Sequence, residues 1–328
     1  MILIVGPPDD AHIQAVKTHL DEHGHEVCFL STRNFTPSTI SLTSRSGKSS
    51  LLLLDGTKKI PLDEIETVWL RRTPQTQDYR QYDSKDDARF ARAEVRHLMN
   101  SVWPVLADRR WMNSYQARTF AECKPNQIRV AAELGILVPD SLITDSPEAA
   151  LDFCRDHGGD IIYKALTWFN KDIDDKSYMI YTNRLNEALL RSKLGHIKQA
   201  PCLFQEYVSK KFELRAVVVG DRIFAVSFDS QASPFSSVDW RRYDFDNVAH
   251  KQHALPDEVA QQLHRLMREL GLVFGCIDLI VTPEGKYVFL EVNEAGNWMW
   301  LDILANTTIS RAIADYLCGH SNVLSQPI

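Results

Sequence analysis

The chain has 328 residues, 44% of them hydrophobic and 24% charged. This is an ordinary globular balance that excludes a disordered chain, and at roughly 100–200 residues per domain it implies two or three compact units. A formal net charge of −6, from 37 Lys+Arg against 43 Asp+Glu, gives no broad cationic field, so no nucleic-acid partner is expected.

Ile2–Val5 reads as a buried strand, with no basic segment before it to make a signal peptide. A helix is predicted from Asp9 to His23, with Ile13, Val16 and Leu20 on one face and Gly24 closing it. Glu26–Leu30 is the next strand, and a β-α-β opening predicts a small parallel sheet. The Ser/Thr-rich stretch that follows contains Ser46, Gly47, Lys48 and Ser49, the ending of a P-loop. Leu42 stands where that loop needs its first glycine, so the P-loop is excluded. Leu51–Asp55 and Lys58–Pro61 read as a hairpin turning at Gly56 and Thr57, and Val68–Leu70 as a strand ending in Arg71 and Arg72. Asp83–Val105 is a long helical pattern whose charged start is a solvated face, and a first domain is expected over residues 1–115.

A second unit is expected over residues 116–203. It opens with a helix from Lys124 to Gly135; Ser146 and Pro147 then start a helix to His157. Ile161–Lys164 and Lys176–Thr182 are strands, and Asn183–Lys193 reads as a helix. The third unit, residues 204–328, begins within the strand Cys202–Val208. It holds a hairpin of Glu213–Val219 and Arg222–Phe228, and an amphipathic helix Asp257–Leu270. The strands Gly275–Val281 and Lys286–Asn293 follow, then a helix Ile309–Leu317. No apolar run reaches the ~18 residues of a membrane span. The six cysteines, Cys28, Cys123, Cys154, Cys202, Cys276 and Cys318, form no C-x-x-C pair. No membrane partner and a cytoplasmic location are expected.

The clearest chemistry lies on the last hairpin. Glu291 and Asn293 are two apart on one strand and share a face. Folding the hairpin at its Pro-Glu-Gly turn brings Asp278 of the other strand near Glu291, with a register open by one residue. Both strands are otherwise apolar, and unpaired carboxylates among buried strands are costly. A hard cation such as Mg²⁺, which takes few carboxylates plus phosphates and water, suits these three oxygen ligands. No Ser-His-Asp or Cys-His arrangement is recognisable.

In their order along the chain these elements resemble the ATP-grasp ligase superfamily. Asp278 with Glu291 and Asn293 matches its magnesium motif. Lys124 and Lys164 stand where its two ATP lysines stand, and Gln205, Glu206, Tyr207 and Val208 resemble its adenine-reading hinge. Glu213 takes the position of a ribose-binding carboxylate, and Glu213 to Arg215 resembles a D/E-x-R element whose arginine contacts phosphate and acyl group. The resemblance spans roughly residues 115–300. It implies a two-lobed α/β (α+β) ATP-grasp fold: an N-terminal pre-ATP-grasp domain with a small parallel sheet, a central lid (116–203), and a C-terminal domain carrying the Mg²⁺ site. It implies Arg215 as the catalytic cation and ATP and Mg²⁺ as cofactors. One departure is the run after Lys164, from Ala165 to Asn170, which lacks the glycines of many ATP-grasp lids.

A closer resemblance, in Val68 to Arg72, Gln205 to Arg215, Ser230 with Gln231, Asp239 to Arg241 and Glu291 to Leu301, is to the graspetide (microviridin-type) peptide maturases. It implies an ADP-forming ligase that converts a side-chain carboxylate of a ribosomally made precursor peptide into an acyl phosphate. A hydroxyl or amine of the same peptide then closes a macrocyclic ω-ester or ω-amide. Arg71, Arg72 and Arg241 are its expected substrate contacts, although packing and acid pairing account for Trp-Arg strings equally well. Asp174, in the acidic run 172–175, is an expected leader contact, with a solvated loop as the alternative. A homodimer is expected. An amino-acid ligase acting on a protein terminus or small peptide, and a non-catalytic ATP-binding module, stay open beside this reading.

Overall fold

The computed structural model describes residues 1–32, 40–46, 48–55, 58–73, 82, 84–167, 170–173, 176–179, 181–229 and 249–320. The chain opens with β1 (Ile2–Val5), α1 (Ala11–Glu22) and β2 (Val27–Leu30). Asp10 starts α1 by accepting from the backbone N–H groups of His12 and Ile13, so the helix begins two residues later than expected. Next come β3 (Ile40–Arg45), β4 (Lys48–Asp55) and β5 (Lys58–Pro61), a three-stranded antiparallel sheet that extends the expected hairpin by one strand. A one-turn 3₁₀ helix (Leu62–Glu64) leads into β6 (Thr67–Leu70), α2 (Lys85–Val105, capped by Ser84) and β7 (Arg110–Met112). The parallel sheet has the order β2-β1-β6-β7. Alternate residues of β1 enter different cores: Leu3 and Val5 pack under α2, while Ile2 and Ile4 pack under α1. This is the two-sided burial of a parallel strand.

Two helices follow, α3 (Tyr115–Ala121, capped by Ser114) and α4 (Lys124–Glu133). The central unit contains β8 (Ser141–Thr144), α5 (Pro147–Asp156, capped by Ser146) and β9 (Asp160–Lys164). Then come the hairpin β10 (Asn170–Ile173) and β11 (Lys176–Met179), β12 (Asn183–Asn186), α6 (Glu187–Arg191), α7 (Leu194–Ile197) and β13 (Cys202–Glu206). Its antiparallel sheet has the order β12-β9-β13-β8, with a separate small core of Ala150, Cys154, Ile161, Leu190, Ile197 and Phe204. The stretch expected as one helix from Asn183 to Lys193 is divided. Its first four residues pair with β9, where Arg184 Nε donates to Asp160 Oδ1 at 2.7 Å, and Asn186 then caps α6. Long-range pairing overrides the local helical pattern here.

The last unit contains β14 (Phe212–Val219), β15 (Arg222–Phe228), β16 (His250–Gln252), α8 (Asp257–Glu269), β17 (Phe274–Val281), β18 (Tyr287–Asn293), α9 (Met299–Leu304) and α10 (Ile309–Leu317). The antiparallel order is β16-β15-β14-β17-β18. One face packs on α8 together with α3 and α4, through residues such as Ala121, Val130 and Ala131. Although α3 and α4 follow residue 115, they therefore belong to the core of the C-terminal sheet. The other face is covered by α10, α1 and Trp298, in one core with the parallel sheet.

Candidate active site

Where α1 and α10 stop covering the C-terminal sheet, its face becomes polar. Arg215 of β14 lies opposite Asp278 of β17, which lies opposite Glu291 of β18, and Asn293 is opposite Cys276. The register open in the sequence is thus settled, and a bulge sets it. Leu279 pairs with Phe289 while Asp278 pairs with Glu291, so Leu290 is the extra residue. In a regular strand Phe289 and Glu291, two apart, would share a face. The bulge lets Phe289 enter the core under α8 while Glu291 stands on the site face.

The charges on this face are paired. Arg215 Nη1 donates to Asp278 Oδ1 at 2.7 Å, with both side chains buried. Burial alone would pull the Arg215 guanidinium down, but Asp278 and its neighbours hold it above the ordinary arginine range. Asn293 Nδ2 lies 3.4 Å from Asp278 Oδ2. Lys124 Nζ sits 3.2 Å from Glu291 Oε2 and donates to the Ala165 carbonyl at 3.0 Å, joining this sheet to the end of β9. Lys164 closes β9 opposite Leu203 and is half-buried. Beneath the carboxylates, burial pushes the Cys276 thiol up. It stays protonated and leaves an all-oxygen set, two carboxylates and an amide, that fits a hard cation such as Mg²⁺ and no soft one.

The other expected residues have partners of their own. Glu213 forms a buried pair with Lys210 at 2.7 Å. Gln205 Nε2 donates to Ser141 Oγ at 2.9 Å, and Glu206 Oε1 accepts from the Asp140 N–H at 3.0 Å. Tyr207 lies under the Arg184 guanidinium, 3.7 Å from its ring centroid, and Val208 is half-buried beside it. Arg71 is 1% exposed and engaged with the protein itself. It donates to the Ala295 carbonyl, to Gly296 O at 3.2 Å and to Asn297 Oδ1 at 2.7 Å, and lies over Trp298 at 5.0 Å. Burial, with Arg72 adding to it, pushes its guanidinium down to about 9, so it stays charged at neutral pH. Arg72 has a 41% exposed side chain and shares Asn297 Oδ1, at 3.0 Å. Of the two, Arg72 is placed to meet a ligand. Asp174 and Arg241 lie outside the described residues, as do Ser230, Gln231, Asp239 and Trp240.

Several residues that hold the site together carry no motif. Buried Asn113, at φ 59°, donates to Phe274 O and Glu294 O and accepts from the N–H groups of Val273 and Phe274. Arg118 donates to Leu70 O at 2.6 Å and Glu294 Oε1 at 3.1 Å, which ties the end of β6 to the end of β18. Gln127 of α4 donates to Val292 O at 2.8 Å and accepts from its N–H at 2.9 Å. At the start of α1, Asp10 lies 3.4 Å from His12 Nδ1 and within 4 Å of both Arg71 and Arg72. Burial would raise the Asp10 carboxyl, yet the His12 hydrogen bond and the Arg71 charge hold it well below the usual carboxylate range. Besides Asp10, the N-cap of α1, the residue here with a sequence signal is Asn113. It precedes the Ser114 cap, and asparagine tolerates the left-handed region.

Residues 1–119 match a family model described as the MvdD pre-ATP grasp domain. No curated protein matches the chain. Among solved structures, a Chryseobacterium gregarium RiPP-associated ATP-grasp ligase, in complex with ADP and a leader and core peptide, superposes with a TM-score of 0.89. It is 29% identical, over 100% of this chain and 99% of that one. The macrocyclase MdnC from Microcystis aeruginosa, bound with precursor peptide MdnA, gives 0.86 and 28% identity, over 98% of this chain and 100% of that chain. The chain has the ATP-grasp fold. The ATP-grasp architecture accounts for the layout, with the parallel sheet of the pre-ATP-grasp domain beside two lobes that meet at Lys124 and Ala165. D-cycloserine synthetase DcsG, at 16% identity and a TM-score of 0.61 over 97% of this chain and 99% of that one, shares the fold alone.

Proposed function

We propose that this ATP-grasp ligase closes ω-ester or ω-amide rings in a ribosomally made precursor peptide, consuming ATP with Mg²⁺ in the cytoplasm. The carrying observation is the joint placement of Asp278, Glu291, Asn293 and Arg215 on one sheet face, with Lys124 of α4 reaching Glu291 and with Asn297 and Arg72 beside them. Full-length similarity to a ligase solved with ADP, a leader and a core peptide supports it. Asp278, Glu291 and Asn293 would hold Mg²⁺, whose charge offsets that of the β- and γ-phosphates. Lys124 and Lys164 suit phosphate as compact cations, and Gln205 to Val208 border the adenine. Glu213, paired to Lys210, borders the ribose.

A peptide carboxylate oxygen attacks the γ-phosphorus and displaces ADP. A peptide hydroxyl or amine then attacks the acyl carbon, loses its proton and expels phosphate. Neither step needs a protein nucleophile; alignment and charge stabilisation are the contributions required. Arg215 is the cation for charge on the acyl phosphate, and Arg72 orients the incoming carboxylate. Arg71 acts through the 295–297 loop as a positioning residue. Arg241 and Asp174 are assigned to core and leader contacts on sequence grounds alone.

The test is incubation with ATP, Mg²⁺ and a leader-bearing peptide encoded beside this gene, followed by mass spectrometry. Loss of one water per ring with matching ADP release is expected. A mass gain of an amino acid, or an unchanged peptide without ADP, overturns the assignment.

A further inference from the structure

Away from the active site, α1 and α10 end in the same way. His23 caps α1, Gly24 follows at φ 72°, and the His25 N–H donates back to Leu20 O at 3.2 Å. Cys318 caps α10, Gly319 follows at φ 79°, and the His320 N–H donates back to Asp315 O at 2.8 Å. Each is a helix stop in which glycine takes the left-handed conformation and fixes the next residue against the last turn. The two helices share one core, and their C-terminal ends lie together. Each end carries about half a negative charge from its aligned peptide dipoles. Asp315 adds a full one. Two of the histidines placed there, His23 and His320, offer a ring nitrogen within 4.8 Å of the Asp315 carboxylate and of each other.

We propose that His23, Asp315 and His320 bind Zn²⁺, with water completing its coordination. His23 Nε2 lies 3.4 Å from Asp315 Oδ1. With Zn–N and Zn–O bonds of about 2.0–2.2 Å, that separation subtends roughly 110° at the metal, the tetrahedral angle. The rings of His23 and His320 stand 5.1 Å apart and nearly perpendicular, and a His320 nitrogen lies within 4.8 Å of the other two ligand atoms, so His320 supplies the third vertex. The other Asp315 oxygen accepts from Arg222 Nη1 at 3.0 Å, the outer contact that orients a ligating carboxylate. Imidazole with carboxylate suits Zn²⁺ and not Mg²⁺, which separates this site from the all-oxygen patch on the sheet. It stands at the far end of the 12-residue α1 from Asp10, about 18 Å along the helix. The ion therefore takes no part in phosphoryl transfer. It clamps the first helix of the chain to the last.

The experiment uses full-length protein freed of any affinity tag and stripped with EDTA. Zn²⁺ is titrated calorimetrically in saturating Mg²⁺, and thermal melting is recorded in parallel. One Zn²⁺ per chain, with a higher melting midpoint, is expected. His23→Ala and His320→Ala should each weaken binding at least tenfold and abolish the melting shift, while His97→Ala, on the exposed side of α2, changes neither. Comparing EDTA-treated variants with EDTA-treated wild type separates loss of the ion from loss of fold. Absence of Zn²⁺ binding, displacement by Mg²⁺, or binding that survives both histidine substitutions overturns the proposal.

Discussion

Glu291→Gln keeps the side-chain shape and removes one charge from the sheet face. Glu291 Oε2 sits 3.2 Å from Lys124 Nζ, with the two side chains 14% and 23% exposed, between a surface pair and a buried one. Lys124 keeps its 3.0 Å bond to the Ala165 carbonyl, and the new amide oxygen still accepts a hydrogen bond. The loss in stability is therefore small, about 1–2 kcal/mol, above the surface value and below that of a buried pair broken outright. This lowers the melting midpoint by only a few degrees. Catalysis suffers more, because the same charge is one of two carboxylates assigned to the metal. Loss of one transition-state electrostatic contact typically costs 10²–10³ in rate, about 3–4 kcal/mol. ADP release is measured with a matched peptide over a range of Mg²⁺, beside a thermal melt. A folded variant that turns over within tenfold of wild type at the same Mg²⁺ refutes the metal assignment.

Gly296→Ala places a methyl 2.6 Å from Cys276 Cβ and 2.9 Å from Arg215 Nη2. It should destabilise by about 1–3 kcal/mol in denaturant melts and slow ADP release by moving Arg215; unchanged values would show that the loop yields freely. Arg118→Met strands the Glu294 carboxylate, which is mostly buried, and frees the Leu70 carbonyl. A loss of roughly 2–4 kcal/mol is expected in the same assay, somewhat below that for a fully buried pair, and one under 0.5 kcal/mol would contradict the tie between β6 and β18. Burial pulls the His12 imidazole below its ordinary value, so between its folded and unfolded pKa values the unfolded chain holds more protons. Stability therefore rises with pH up to about 6.5 through this group and falls on acidification. His12→Gln should flatten that slope; an unchanged slope would remove His12 as its source.

The convergence of Asp278, Glu291 and Asn293 was legible because it is local: Glu291 and Asn293 sit two apart on one strand, and a short turn pairs that strand with the one that carries Asp278. The bulge at Leu290 was not, since nothing about a leucine marks it as the unpaired residue, and parity depends on what Phe289 meets beneath the sheet. Arg71 and Arg72 read alike in sequence, and the structure separates them by burial. Arg71 faces the 295–297 loop from more than 220 positions away, a contact no local pattern encodes. Arg118 and Gln127 escaped notice for the same reason: their partners are backbone carbonyls of Leu70 and Val292. The split of residues 183–193 failed differently, because helical spacing was present and pairing with β9 outweighed it.

The core shared by the first and last elements bears on how the chain is made. Ile2, Ile4, Ile13, Val16 and Leu20 are packed against Ile309, Ala312, Ile313, Tyr316 and Leu317. During synthesis the N-terminal sheet and α1 emerge first, yet the apolar side that α1 turns toward α10 stays uncovered until α10 has left the ribosome. The lobe from β8 to β13, closed around its own six buried residues, has no such wait. Folding on the ribosome should thus complete the central lobe before α1 meets α10.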